Sequence, residues 1–202
     1  MKHLKMLGLA AIAAVALFAI TGAGSASATV LCKKNITPCG AEAYGKVAFK
    51  SSLESGTTEF FFDLGGGNSY SYTCTGSTME GNVTNVGSEK SDVIIGLETF
   101  TLTGCTCPET TVLSASSLAV AWTSGTMNGG LTSANLDVTF NCMGHCKYGD
   151  GKIGVLTGGA MGTIDVSATL NKIEGGVTCP ATAKWTGSYT VTAPEPVYMA
   201  EK

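Results

Sequence analysis

The chain has 202 residues, with 15 Asp and Glu against 12 Lys and Arg, a formal net charge of −3. All of its cations are lysine, and arginine, the side chain suited to bidentate phosphate and guanine contacts, does not occur. The lack of a basic footprint excludes nucleic acid and an anionic membrane surface as partner classes, and 44% hydrophobic residues exclude a disordered chain.

The first element is an export signal. Lys2 and Lys5 precede an apolar run from Met6 to Ile20, and Ala26-Ser27-Ala28 ends it with the small side chains a signal peptidase accepts. The run is shorter than the roughly 20 apolar residues of a membrane span, so cleavage is expected after Ala28, with no integral membrane anchor in the mature chain. Leu31 rather than a small residue stands before Cys32, which speaks against lipoprotein processing. The expected organisation is a signal peptide over 1–28 and one domain over 29–202, with an irregular N-terminal segment 29–45 and a C-terminal tail 194–202. Without the signal, ten lysines face fifteen carboxylates.

All eight cysteines lie beyond the signal: Cys32, Cys39, Cys74, Cys105, Cys107, Cys142, Cys146 and Cys179. An even count in an exported chain reads as a disulfide framework. Cys32 and Cys39 close a local loop around Thr37-Pro38.

From residue 46 onward the pattern is that of strands and glycine-rich turns. Strands are expected over 58–64, 69–75, 78–85, 93–103, 110–114 and 117–123. Gly65-Gly66-Gly67-Asn68 reads as a hairpin turn. Further turns are expected near Asn128-Gly129-Gly130, Gly149-Asp150-Gly151, Gly158-Gly159 and Gly175-Gly176. Three later segments alternate strictly. Leu136, Val138, Phe140 and Cys142 share one face; so do Ile164, Val166, Ala168 and Leu170, and so do Ala181, Ala183, Trp185, Tyr189 and Val191. Period-2 alternation marks half-buried antiparallel strands. About ten short strands of this kind predict an all-β fold, a disulfide-stapled antiparallel sandwich, with a closed barrel as the second architecture.

Parity also sorts the cysteines. Cys74, Cys142 and Cys179 each continue an apolar face, which points to Cys74–Cys179 as a bridge across the core. Cys105 and Cys107 end one strand as Cys142 and Cys146 end another, so these four can pair between two loops, with Cys142–Cys146 pairing also open.

The residues that could carry chemistry are few. Cys105-Thr106-Cys107 with Cys142-Met143-Gly144-His145-Cys146 offers thiols and an imidazole for zinc, yet its spacing fits two cystines and a loop histidine better. His145 is the sole histidine beyond the signal. It lies between cysteines, with no G-x-S-x-G elbow in the chain. Asp150 lacks the series of oxygen ligands a calcium loop needs, and the scattered acids read as a solvated face rather than a glycosidase pair. No catalytic, metal or cofactor site is therefore assigned. Trp122 and Trp185 follow the parity of apolar neighbours and are expected in the core, with a sugar-stacking platform as the alternative. Phe61, Tyr148 and Tyr198 are the aromatics available to a binding surface.

Ala28-Thr29-Val30-Leu31-Cys32 with Thr37-Pro38-Cys39 resembles a family of small exported cysteine-containing β-proteins of soil actinobacteria. So do Tyr72-Thr73-Cys74-Thr75, Leu102-Thr103-Gly104-Cys105, Val138-Thr139-Phe140-Asn141-Cys142 and Thr182-Ala183-Lys184-Trp185-Thr186. These motifs span most of the chain and bring no activity with them. The order of cysteines, Trp and Thr-rich strands is more distantly similar to secreted alkane-oxidation-activator-like proteins of biofilm matrix. The resulting expectation is an exported, non-enzymatic extracellular or cell-surface protein, an envelope or matrix component. A module binding a cell-envelope glycan or protein is the first alternative, and a secreted hydrolase the second.

Overall fold

Inward-facing apolar residues at every second position require the strands to share one buried side, and the way the strands pair decides what encloses it. The computed structural model describes residues 29–85, 92–108, 110–112 and 116–202; the expected signal and its cleavage point after Ala28 lie outside these. The chain is all-β, with two single-turn 3-10 segments, Gly40–Glu42 and Asn141–Met143, among the described residues. The strands are β1 (Thr29–Cys32), β2 (Ala48–Leu53), β3 (Thr58–Gly65), β4 (Asn68–Asn85), β5 (Val93–Cys105) and β6 (Thr110–Val112). They continue as β7 (Ser117–Trp122), β8 (Asn128–Phe140), β9 (Cys146–Thr157), β10 (Gly162–Glu174), β11 (Thr182–Ala193) and β12 (Tyr198–Glu201).

The main sheet follows an up-and-down path from β4 through β5, β7, β8, β9 and β10 to β11, and every pairing is antiparallel. β2 and β3 run one after the other along the same pair of partners. β2 lies between the far half of β4 and β11, while β3 lies between their near halves. β6 and β7 likewise succeed each other along β8. Because β11 pairs with β2 and β3 as well as with β10, the sheet closes on itself. The result is an eight-position up-and-down barrel. This corrects the sandwich expected from the sequence. Period-2 alternation reports which face is buried, and the inner face of a barrel wall and of a sandwich sheet have the same pattern; closure depends on the β11 pairing, which is non-local.

Most outside positions are hydrophilic, with Leu64, Val155 and Ile173 as exposed apolar exceptions on the strands. On β10 the exposed Asp165, Ser167 and Thr169 alternate with buried Ile164, Val166, Ala168 and Leu170. The interior of an eight-stranded barrel is either filled by side chains or holds one small ligand, and here side chains fill it. Near one end, the mouth, lie Phe62, Phe140 and Tyr148. Phe60, Phe100, Trp185 and Tyr189 occupy the middle, and Val93, Ile95, Leu118, Val120 and Leu131 the other end. The aromatic rings contact one another continuously: Phe60 meets Phe140 at 5.0 Å and Trp185 at 5.7 Å, and Phe62 meets Tyr70 at 5.1 Å.

The end opposite the mouth is capped by the pair formed by β1 and β12. β1 pairs with β12 from Thr29↔Glu201 to Cys32↔Tyr198. This small sheet sends Leu31 and Met199 into the main core, while Val30, Cys32, Cys39 and Ala200 form a second cluster. Segment 29–45, expected to be irregular, and the C-terminal tail 194–202 therefore hold a strand each; two short strands far apart in sequence carry no local signal of their pairing. The turn expected near Asn128–Gly130 falls just before it, at 124–127, with Asn128 opening β8, and the turn expected near Gly149–Gly151 is corrected, since these residues continue β9. Here glycine serves close approach rather than reversal: a Cβ on Gly129 would run into the Val120 side chain, and one on Gly149 into the Leu136 carbonyl.

Candidate functional site

The four disulfides are Cys32–Cys39, Cys74–Cys105, Cys107–Cys142 and Cys146–Cys179. Each cysteine thus pairs with the next in sequence. The last three all lie at the mouth, where each ties the open ends of one hairpin: β4 to β5, the β6–β7 strip to β8, and β9 to the segment after β10. The local Cys32–Cys39 pair agrees with the sequence reading, and Cys107–Cys142 agrees with pairing between two loops. Cys74–Cys179 is corrected. Both side chains are buried, as parity indicated, but in a meander the nearest sulfur belongs to the same hairpin. Cys142 is also corrected: the chain leaves β8 at Phe140 for a 3-10 turn, which carries Cys142 to the surface.

Among these staples the mouth holds a shallow recess of about 390 Å³ lined by Leu64, Tyr70, Tyr72, Cys142 and Thr178. Leu64 is 51% exposed, and Ile173 and Val177 are exposed on the neighbouring strand end and loop. Tyr148, expected at the surface, is fully buried, and its hydroxyl donates to the Pro180 carbonyl at 3.0 Å. Phe61 is half-buried, with Lys184 Nζ 5.9 Å from its ring centre, and Tyr198 is half-buried in β12.

His145 is exposed at the mouth in a left-handed conformation, φ 62°. Its Nδ1 lies 2.9 Å from Asn141 Oδ1 and its Nε2 3.7 Å from Glu174. The remaining thiols of the sequence-derived zinc set are all cystines, so no thiolate is left to ligate. Among the described residues no group of three metal-ligating side chains converges. The side chain of Asp150 lies outside the described residues.

Burial pushes the phenols of Tyr70 and Tyr148 up to about 12, and the nearby Tyr72 and Tyr148 add to the effect at Tyr70. The folded state thus favours the neutral phenol. Its stabilisation is fully present below the ordinary value of 10.0 and is lost as pH rises through about 12. Melting temperature is expected to hold up to about pH 10 and to fall steeply above it, with tyrosinate absorbance rising in step. Ionisation of every tyrosine near pH 10 in a still-folded protein would show the barrel end to be wetter than described.

The second recess, about 300 Å³, is at the capped end and is lined by Asn35, Thr37, Trp122, Gly125, Thr126 and Met127. The two tryptophans therefore separate. Trp185 is 0% exposed in the barrel, whereas Trp122 is half-buried, packed against the core but also lining this recess. Parity alone placed both in the core; Trp122 ends β7, where the wall stops and the residue is left partly exposed.

No protein-family model, curated protein or solved structure matches the chain.

Proposed function

We propose that this chain is an exported, non-enzymatic protein of the cell surface or extracellular space, a component of the envelope or matrix. The observation that supports it best is the use of the barrel interior. The space in which a closed eight-stranded barrel can hold a small ligand is taken up by Phe60, Phe62, Phe140, Tyr148, Trp185 and Tyr189. What remains for function is the outside: a hydroxyl-rich wall fixed by cystines, which persist in oxidising compartments. Kinship with the small exported β-proteins of soil actinobacteria is part of this proposal and agrees with the same reading. The alternative of a binding module is favoured by one specific observation, the partial exposure of Trp122 in the second recess.

Fractionation of expressing cells is expected to place the protein in the medium or envelope, with N-terminal sequencing beginning at Thr29. Recovery from the cytosol with Met1 intact would overturn the exported reading. Hydrolytic turnover by the purified protein on glycoside, ester or peptide substrates, abolished by a carboxylate or His145 substitution, would overturn the non-enzymatic one.

A further inference from the structure

The recess at the capped end has the chemistry of a sugar site. We propose that Trp122, Asn35 and Thr37 form a binding site for one neutral pyranose unit of a saccharide. The inference rests on the extracellular reading only for the supply of ligand.

Three features converge on that ligand class. The first is how the Trp122 indole is held. Its Nε1 donates to the Thr126 carbonyl at 2.7 Å, and its backbone N–H donates to Thr29 Oγ1 at 2.8 Å. With its one polar side-chain atom already bonded to the protein, the half-buried ring that lines the recess has only apolar surface left for a ligand, which suits the C–H side of a pyranose. The second is the rim. Asn35 and Thr37 are exposed, and an amide and a hydroxyl both donate and accept, matching vicinal sugar hydroxyls. The third is neutrality. All six lining residues are uncharged, and the two lysines of the same loop are engaged elsewhere. Lys34 is 2.7 Å from Glu42, and Lys33 lies over the Tyr44 ring at 5.7 Å. A phosphate, carboxylate or ammonium ligand would find no counter-charge at the rim.

The recess is also pre-ordered, which lowers the entropic cost of binding. The Asn35–Thr37 loop is closed by Cys32–Cys39, and the Cys39 N–H donates to the Glu201 carbonyl at 2.9 Å. Opposite it, the turn between β7 and β8 is held by Thr123 N–H to Asn128 O at 2.9 Å and by Thr126 Oγ1 to Thr123 O at 2.7 Å. A volume of about 300 Å³ is at the small end of ligand sites, so one ring is held and the rest of a chain lies outside.

The test titrates the purified exported protein with hexasaccharides of β-1,4-linked N-acetylglucosamine, β-1,4-linked glucose and α-1,6-linked glucose, followed by tryptophan emission and calorimetry. Saturable binding of at least one is expected, with an emission change arising at Trp122, since Trp185 is sealed in the barrel. Trp122→Ala should weaken binding about 30-fold or more, as for a central aromatic anchor. Asn35→Ala, in an exposed loop, should weaken it about 5-fold or more at an unchanged melting temperature. Leu64→Ser at the distant mouth should change nothing. The proposal is overturned if no hexasaccharide binds at about 10 mM, the weak end of the affinity scale, or if folded Asn35→Ala binds as well as the native protein. The second criterion holds even if Trp122→Ala fails to fold. Because binding is read on purified protein, a negative result leaves the fractionation result standing, and the reverse is also true.

Discussion

Trp185→Ala is expected to lower stability by about 3–5 kcal/mol, the range for removing a large aromatic from a packed core. The indole is 0% exposed. It stacks on Phe60 at 5.7 Å with ring planes 11° apart, and lies 5.5 Å from Phe100 and 6.4 Å from Tyr189. Its Nε1 donates to Thr58 Oγ1 at 2.7 Å, the centre of a buried polar set in which Thr58 donates to the Thr186 carbonyl at 2.9 Å. Tyr189 donates to Ser77 Oγ at 3.1 Å in the same set. Alanine would leave a void that the surrounding β-wall cannot collapse into, and it would strip Thr58 of a donor. Trp185→Phe separates the two contributions. It keeps a ring in the stack and loses the hydrogen bond, and should cost nearer 1 kcal/mol plus a packing defect. For a chain of this size about 3–5 kcal/mol corresponds to a fall of roughly 10 °C in melting temperature. An unshifted melting temperature for Trp185→Ala would refute its place in the core.

That place was legible in the sequence because it depends on parity alone. Leu136, Val138, Phe140, Ile164, Leu170, Ala183, Trp185 and Val191 are all buried, as the alternation required. Strand positions from 58 to 123 were largely readable, although the strands expected over 69–75 and 78–85 are one continuous strand, β4. The sequence does not disclose long-range pairing. Whether β11 returns to β2 and β3, and whether Thr29–Cys32 joins Tyr198–Glu201, depends on contacts between residues more than a hundred positions apart. The sandwich expectation, and the Cys74–Cys179 bridge derived from it, failed for that one reason. The Trp122 recess was half legible. The residue type suggested a sugar platform and the parity suggested the core. The structure serves both: Trp122 packs against the core and also lines a recess with Asn35 and Thr37, which the loop after β1 supplies.

Reduction of the disulfides is expected to have the largest effect of any treatment. The four closed loops follow one another along the chain without overlap, so in the chain-entropy picture their contributions add. Sequence separations of 31, 35 and 33 residues at the mouth correspond to about 3.7 kcal/mol each, and the separation of 7 at Cys32–Cys39 to about 2.4 kcal/mol. Together these match the whole net stability of an ordinary domain, about 5–15 kcal/mol, so the fully reduced chain should be unfolded or marginal. The native protein should take up no alkylating reagent without a reductant. Under mild reduction Cys107–Cys142 should open first, because Cys142 is exposed while Cys105 is half-buried and Cys32, Cys39, Cys74, Cys107, Cys146 and Cys179 are buried, and a thiolate must reach a sulfur to attack it. Mass mapping of alkylated cysteines against time would give the order, and melting temperature at each stage the cost. Paired Cys→Ala replacements test the same arithmetic without reductant: losing Cys32 and Cys39 should cost least, and losing Cys107 and Cys142 at least about 1 kcal/mol more. A reduced chain that melts where the oxidised one does would show that the barrel stands on its aromatic core alone.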